Sequence, residues 1–148
     1  MPKRWSKLQS RLYSLMDPSV KFQIHCALYE MNGNGEYHRY KLPRYFITIG
    51  KEIIFDYPKE FETYVCEGNL VYIHYPYFTE MEDISNVIEE YIQRPETKLL
   101  DAFENDKWGI TDILRACDRR MGKRRLMKLA TGDNSDAVNK IIEKRLAQ

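Results

Sequence analysis

Residues 20–28, with the sequence VKFQIHCAL, decide the fold class, because apolar and polar side chains alternate along them. A period of two places each set on one face of a β-strand. The sequence NGNG at residues 32–35 predicts a turn, since asparagine and glycine tolerate positive φ. Two further strand-like runs, residues 44–49 and 53–57, are joined by a short Gly-Lys connection. Connections this short predict antiparallel neighbours.

The same alternation predicts a fourth strand over residues 70–75, where Pro76 ends the apolar run. Pro43 is expected at the start of its own strand, where a missing N–H is tolerated. The sequence therefore predicts an antiparallel sheet of about four strands.

A helix is predicted before the sheet, over residues 1–16, because Leu8 and Leu12 belong to an apolar stripe at helical spacing. It is expected to end at Asp17, since a residue that precedes a proline, here Pro18, is pushed out of the α region.

The period becomes helical again from Thr79, which with Glu82 fits a capping box. Later apolar stripes at helical spacing predict further helices, which begin after Pro95, near Ile110, and at Asn134 or Ser135. The stretch that starts near Ile110 either breaks at Gly122 or runs through it as one long helix. Four to five helices are therefore expected after the strands.

Strands and helices that are segregated in this way indicate an α+β fold, with helices packed on an antiparallel sheet. A chain of 148 residues fits one domain, residues 1–148, and is long enough to bury a core without disulfides.

The composition, 43% hydrophobic and 30% charged, is typical of a globular protein and of neither a disordered nor a membrane protein. No apolar run approaches a membrane span and no secretory signal follows the basic N-terminus, so no membrane partner is expected. The three cysteines, Cys26, Cys66 and Cys117, are far apart and odd in number. Reduced thiols in the cytoplasm are the expectation.

Charge is sorted along the chain into three blocks. Residues 1–51 hold nine Lys/Arg and three Asp/Glu, residues 52–106 hold three and fourteen, and residues 107–148 hold eleven and five. A net charge of +1 thus hides two basic ends, each of +6, around an acidic middle of −11. Such asymmetry points to polyanion binding or to partner docking.

The densest basic cluster predicts a phosphate-binding surface, and its members are Arg115, Arg119, Arg120, Lys123, Arg124, Arg125 and Lys128. The basic residues of the first helix could extend it, namely Lys3, Arg4, Lys7 and Arg11. Nucleic acid is the leading partner, and a non-enzymatic binding protein is the leading function. The alternative interpretation is a solvated helix face that pairs with the acidic middle of the same chain.

The arrangement of this basic cluster depends on whether the chain is helical at Gly122. One long helix would align Arg115, Arg119 and Lys123 on one face. A helix-turn-helix would instead place Gly122 in the turn.

Two other classes of function are kept as hypotheses. A protein–protein module, for instance an immunity- or antitoxin-like factor, would use the acidic middle and exposed tyrosines. A small enzyme would use a cleft on one sheet face, formed by His25, Arg44, Tyr72 and His74, if the strands pair in that register. Self-association through opposite charge blocks would give a homo-oligomer. No metal or cofactor is expected, because the sequence contains no calcium loop, no histidine at metal spacing, no phosphate loop and no Cys-x-x-Cys motif.

Three stretches together carry a resemblance: WSKLQ at residues 5–9, YPYFTEMEDIS at residues 75–85, and residues 106–126. On these stretches the chain resembles a small family of uncharacterised bacterial proteins over nearly its whole length. The resemblance implies a bacterial cytoplasmic origin and carries no activity, cofactor or site.

Overall fold

The computed structural model describes residues 5–32, 39–57 and 74–148, and the side chains of residues 5–26, 44–57 and 83–148. Its helices and strands are α1 Trp5–Tyr13, β1 Phe22–Asn32, β2 Arg39–Ile49, β3 Glu52–Tyr57, α2 His74–Gln93, α3 Ile110–Cys117, α4 Lys123–Ala130 and α5 Asp136–Leu146. A helix, an antiparallel sheet and a C-terminal set of helices follow one another, which confirms the α+β class. In the described ranges the sheet has three strands, in the order β1-β2-β3, where about four were predicted.

The sheet register follows the alternation of the sequence. Strands β1 and β2 pair antiparallel from Phe22–Ile49 onward, and β2 pairs with β3 through an irregularity between Ile47 and Thr48. Ile24, Tyr45 and Ile47 are almost fully buried, which identifies the face that meets the helices. The β2–β3 turn uses Gly50 at φ +61°, a conformation that costs glycine little.

The predicted fourth strand is wrong at its end. Residues 70–73 lie outside the described ranges, whereas His74 and Tyr75 begin α2. Thr79 therefore lies inside a helix and not at its start, so the predicted capping box is also wrong. The reason is Pro76, because a proline suits the first turn of a helix as well as the end of a strand.

Pro43 lies inside β2, paired with Leu28, and not at the start of the strand as predicted. The described pairing between β2 and β3 ends at Tyr45–Tyr57. Pro43 is thus beyond that ladder, where its missing N–H removes none of the described β2–β3 hydrogen bonds.

The helix boundaries agree with the sequence in part. Helix α1 ends at Tyr13, earlier than the predicted end at Asp17, and Asp17 instead caps a short 3-10 turn at Pro18–Val20, accepting a hydrogen bond from the Ser19 N–H. Ser135 caps α5 by accepting from the Val138 N–H at 3.3 Å. The segment after Pro95 forms a single 3-10 turn in place of the predicted short helix.

The chain leaves the helical conformation at Asp118, so the single long helix through Gly122 is wrong. The backbone of Asp118 pairs with Met16, and the Arg119 N–H donates to the Leu15 carbonyl at 2.8 Å. At residues 118–119 the backbone thus pairs with the segment after α1 and does not continue the helix. Arg115, Arg119 and Lys123 do not share one helix face as a result.

One hydrophobic core joins these elements. It takes side chains from α1, the inner sheet face and all four later helices, for example Leu12, Ile24, Tyr91, Leu114 and Ile142. Helix α3 is buried along most of its length, whereas α4 buries only Leu126 and Leu129. The outward face of α4 is therefore left at the surface.

Candidate functional site

A buried carboxylate organises residues 118–122, the segment that joins α3 to α4. Asp118 is fully buried and accepts hydrogen bonds from the Tyr91 hydroxyl at 2.5 Å and from Nη2 of Arg120 at 2.8 Å. Burial and the Asp118 charge hold the pKa of Tyr91 well above its usual value, so this hydroxyl stays a donor. The bond to Asp118 likewise raises the pKa of Arg120.

Arg145, near the end of α5, fixes the same segment from the other side. Its Nη1 donates to the carbonyls of Ala116 at 3.1 Å and Asp118 at 2.8 Å, and its Nη2 donates to that of Met121 at 3.0 Å. Its Nε lies 3.3 Å from a carboxylate oxygen of Asp17. One guanidinium thus satisfies three carbonyls where the chain has left the helix.

This anchoring makes stability depend on the ionisation of Asp17. Desolvation opposes ionisation, but the hydrogen bonds from Ser19 and the charge of Arg145 outweigh it and lower the pKa of this carboxyl. A depressed folded-state pKa stabilises the fold at neutral pH, and that contribution is lost as the pH falls below about 4.

We expect Asp17→Asn to unfold more easily than wild type at pH 7, with the difference in unfolding free energy vanishing near pH 2. Urea denaturation of both proteins across pH checks this, and a constant difference would contradict it.

Three of the seven basic residues predicted to bind a partner contact other groups of the protein itself. Arg115 is buried, donates to the Leu99 and Leu100 carbonyls, and pairs with Asp112. Arg120 is bound to Asp118, as described above. Arg125 lies 3.3 Å from a carboxylate oxygen of Glu96. For Arg115 and Arg120 the sequence does offer a signal of internal pairing, since an aspartate lies two or three positions earlier. The partner of Arg125, Glu96, is distant in the sequence and gives no such signal.

The other four members, Arg119, Lys123, Arg124 and Lys128, are exposed. Arg119 donates through Nε to the Ser14 carbonyl at 2.8 Å, at the end of α1. No acidic side chain of the described residues forms a salt bridge with Lys123, Arg124 or Lys128. These three residues are called the cationic face of α4 from here on.

The N-terminus of α4 adds to the positive potential of this face. Gly122 is the N-cap residue and supplies no side-chain hydrogen bond, and the first turn contains no acid but three cations. Cations at this end oppose the helix macrodipole. A side chain at residue 122 has room, because apart from the chain neighbours no described atom would lie within 4 Å of its Cβ. The arrangement suits an anion, because phosphate oxygens accept from such N–H groups and cations.

The basic residues of α1 join this site only in part. Lys3 and Arg4 lie outside the described residues. Lys7 is exposed, whereas Arg11 is 3.3 Å from a carboxylate oxygen of Glu89 on α2. The Arg11–Glu89 and Arg125–Glu96 pairs show that the basic ends do contact the acidic middle, so the internal-pairing interpretation is correct for these two arginines.

The predicted cleft of His25, Arg44, Tyr72 and His74 is only partly assembled. The rings of His25 and Phe46 stack at 4.6 Å, and the Arg44 guanidinium lies 4.4 Å from the Phe46 centroid, so the sheet does place His25 and Arg44 together. Arg44 is buried and binds Asp56 through two hydrogen bonds of 2.8 and 3.0 Å. Tyr72 lies outside the described residues. His74 begins α2, so its predicted place on a neighbouring strand is wrong.

Neither described cysteine is activated as a nucleophile. Burial raises the pKa of the Cys26 thiol to about 11 and that of Cys117 to about 12. Both are free thiols and are protonated at neutral pH. Cys66 lies outside the described residues. Within the described ranges, no three His, Cys, Asp or Glu side chains are grouped as a metal site.

In the described part of the chain, no helix combines the length and the apolar character needed to span a bilayer.

Comparisons with known proteins identify the family of the chain. Neither the comparison with curated proteins nor that with solved structures returns a match. The model of one family matches residues 4–75 and 71–146, which together cover nearly the whole chain, in agreement with the resemblance to an uncharacterised family. The chain belongs to the SF0329 protein family.

Proposed function

We propose that this protein is a non-enzymatic binding protein whose cationic face on α4 contacts the phosphates of a nucleic acid. The observation that carries the proposal is the first turn of α4, where Lys123 and Arg124 are exposed beside a helix N-terminus that lacks a side-chain cap. In the folded protein, the repulsion between these like charges and the helix macrodipole both oppose this arrangement. A bound phosphate would relieve both.

The surrounding structure supports a role in binding. The segment that precedes α4 is fixed by Asp118, Arg120 and Arg145, so the cationic face is presented on a supported element. A preorganised surface loses less side-chain and backbone freedom on binding. Arg119 extends the positive surface toward the end of α1. Three to four phosphate contacts are the expected number.

The location of the protein is also part of the proposal. The two described cysteines are free thiols, as in a reducing compartment, which supports a cytoplasmic location. Bacterial cytoplasm is the source implied by the resemblance of the sequence.

Fluorescence anisotropy with a labelled 20-base-pair DNA duplex at low salt tests the proposal. We expect saturable binding that competitor polyphosphate displaces, because the contacts are to phosphates. Absence of binding at the lowest salt would overturn the proposal and favour a protein partner for the acidic middle of the chain.

A pair of substitutions at Gly122 separates folding from binding. The backbone of Gly122 is extended at φ −74°, which any residue adopts, and Asp or Ser caps a helix better than Gly by a few tenths of a kcal/mol. We expect both Gly122→Asp and Gly122→Ser to leave stability unchanged or slightly raised. Gly122→Asp should weaken DNA binding about tenfold, because its carboxylate occupies the phosphate position with like charge. The neutral Gly122→Ser variant is the control, and its affinity for DNA should fall less than that of Gly122→Asp.

Thermal unfolding and anisotropy titrations of both variants check this expectation. Equal affinity of the Asp and Ser variants would show that no phosphate approaches the start of α4.

A further inference from the structure

We propose, resting on the function proposed above, that the nucleic acid is double-stranded DNA and that α4 enters its major groove. The outward face of α4 carries Arg124 and Lys128 one turn apart, with Met127 between them. Met127 is 61% exposed. Cations around an exposed apolar residue form a surface with two chemistries, one for phosphates and one for base edges.

The dimensions of α4 fit a groove of B-form DNA. An α-helix with its side chains is about 10–12 Å across, and eight residues at 1.5 Å each make α4 about 12 Å long. The major groove of B-DNA is about 12 Å wide and admits an α-helix. Helix α4 buries Leu126 and Leu129 against the core and pairs Arg125 with Glu96, so the side that would enter the groove is the exposed one with Arg124, Met127 and Lys128.

The chemistry of the face disfavours single strands. Proteins that bind single-stranded nucleic acid stack bases on aromatic side chains along a basic groove. Residues 118–130, which form the segment before α4 and the helix itself, contain no Phe, Tyr, Trp or His. The face therefore has charge for a phosphate backbone but no aromatic platform for unstacked bases.

Double-stranded RNA fits less well than double-stranded DNA. The major groove of A-form RNA is deep and narrow, and duplex RNA is generally bound across about 16 base pairs of minor groove. A single helix about 12 Å long spans only a small part of that distance. B-form DNA is the duplex whose open groove matches the helix.

Met127 is the residue expected to touch the bases. Its flexible apolar side chain lies at the centre of the face, where it can contact a thymine methyl group while Arg124 and Lys128 bind phosphates on either side. Among the described residues, the other large hydrophobic side chain that is strongly exposed is Ile53 on β3, at 49%. Ile53 lies on the sheet, away from α4, and serves as the matched control.

The test compares three labelled probes of one sequence at one salt concentration: a 20-base-pair DNA duplex, its single strand, and the corresponding RNA duplex. Wild type, Met127→Ala and Ile53→Ala are titrated with each. We expect the DNA duplex to bind at least about tenfold more tightly than the other probes. We expect Met127→Ala to weaken duplex DNA binding about fivefold, with its salt dependence unchanged, because an apolar contact and no phosphate contact is lost. Ile53→Ala should bind like wild type.

Each outcome separates this inference from the proposed function. Equal binding of all three probes, or wild-type affinity of Met127→Ala, would overturn the major-groove inference and leave phosphate binding in place. Tighter binding of the single strand would overturn it in favour of a strand-tracking surface. Absence of binding to any probe would remove the proposed function and this inference with it.

Discussion

Replacing Arg145 with alanine is expected to lower the free energy of unfolding by about 3–5 kcal/mol, the loss typical of removing one partner from a buried charged network. Its guanidinium donates to the carbonyls of Ala116, Asp118 and Met121 and pairs with Asp17. The substitution leaves those buried acceptors without their donor and the Asp17 carboxylate without its partner. Urea denaturation at pH 7 measures the change.

Lys144→Ala is the matched control, because Lys144 is the exposed neighbour of Arg145 on the same helix. A change within about 0.5 kcal/mol is expected there. Arg145→Lys should recover only part of the loss, since one ammonium cannot reproduce the planar fork that reaches three carbonyls. A wild-type stability for Arg145→Ala would contradict the role assigned to this residue.

Reversing the charge of the cationic face, with Lys123→Glu, Arg124→Glu and Lys128→Glu in one protein, is expected to weaken DNA binding at least about 100-fold. The variant loses about three phosphate contacts and gains three repulsions. The fold should persist, because the three side chains are exposed and form no salt bridge with the described residues. Acidic residues in the first turn also agree better with the helix macrodipole.

A control with the same net charge separates a local effect from a general one. Lys51→Glu, Lys140→Glu and Lys144→Glu reverse three exposed lysines that lie outside α4. We expect this control to weaken binding only severalfold, through long-range charge that salt screens. Anisotropy titrations measure both variants, and circular dichroism verifies that both are folded. An equal loss of DNA affinity in the α4 variant and in this control would contradict a binding site on α4.

The sheet and the order of the helices were predictable because they follow from local periods. The alternation over residues 20–28 set the register that buries Ile24, and the cap at Ser135 was visible as a break before an apolar stripe. The start of α2 was missed, because Pro76 is compatible with both a strand end and a first helical turn.

The sequence locates the basic cluster but does not show which of its members are exposed. A run of arginines does not show which members face the core, because an arginine can be buried when carbonyls and a carboxylate satisfy it. Arg115 is of this kind, and its acceptor at the Leu99 carbonyl comes from a distant segment. Arg120 binds the nearby Asp118, but the sequence does not show that this carboxylate is buried. Arg145, which supports the site, was overlooked because it stands among ordinary surface residues of the last helix.

The most direct test of the central claim is the salt dependence of duplex DNA binding by wild type and by a neutral variant, Lys123→Gln, Arg124→Gln and Lys128→Gln. Three to four phosphate contacts give a slope of log K against log salt of about −3 to −4 for wild type. Removal of three cations should make the slope less negative by about 2.7. That result would place the phosphates on α4. An unchanged slope in the neutral variant, or no wild-type binding at the lowest salt, would contradict it.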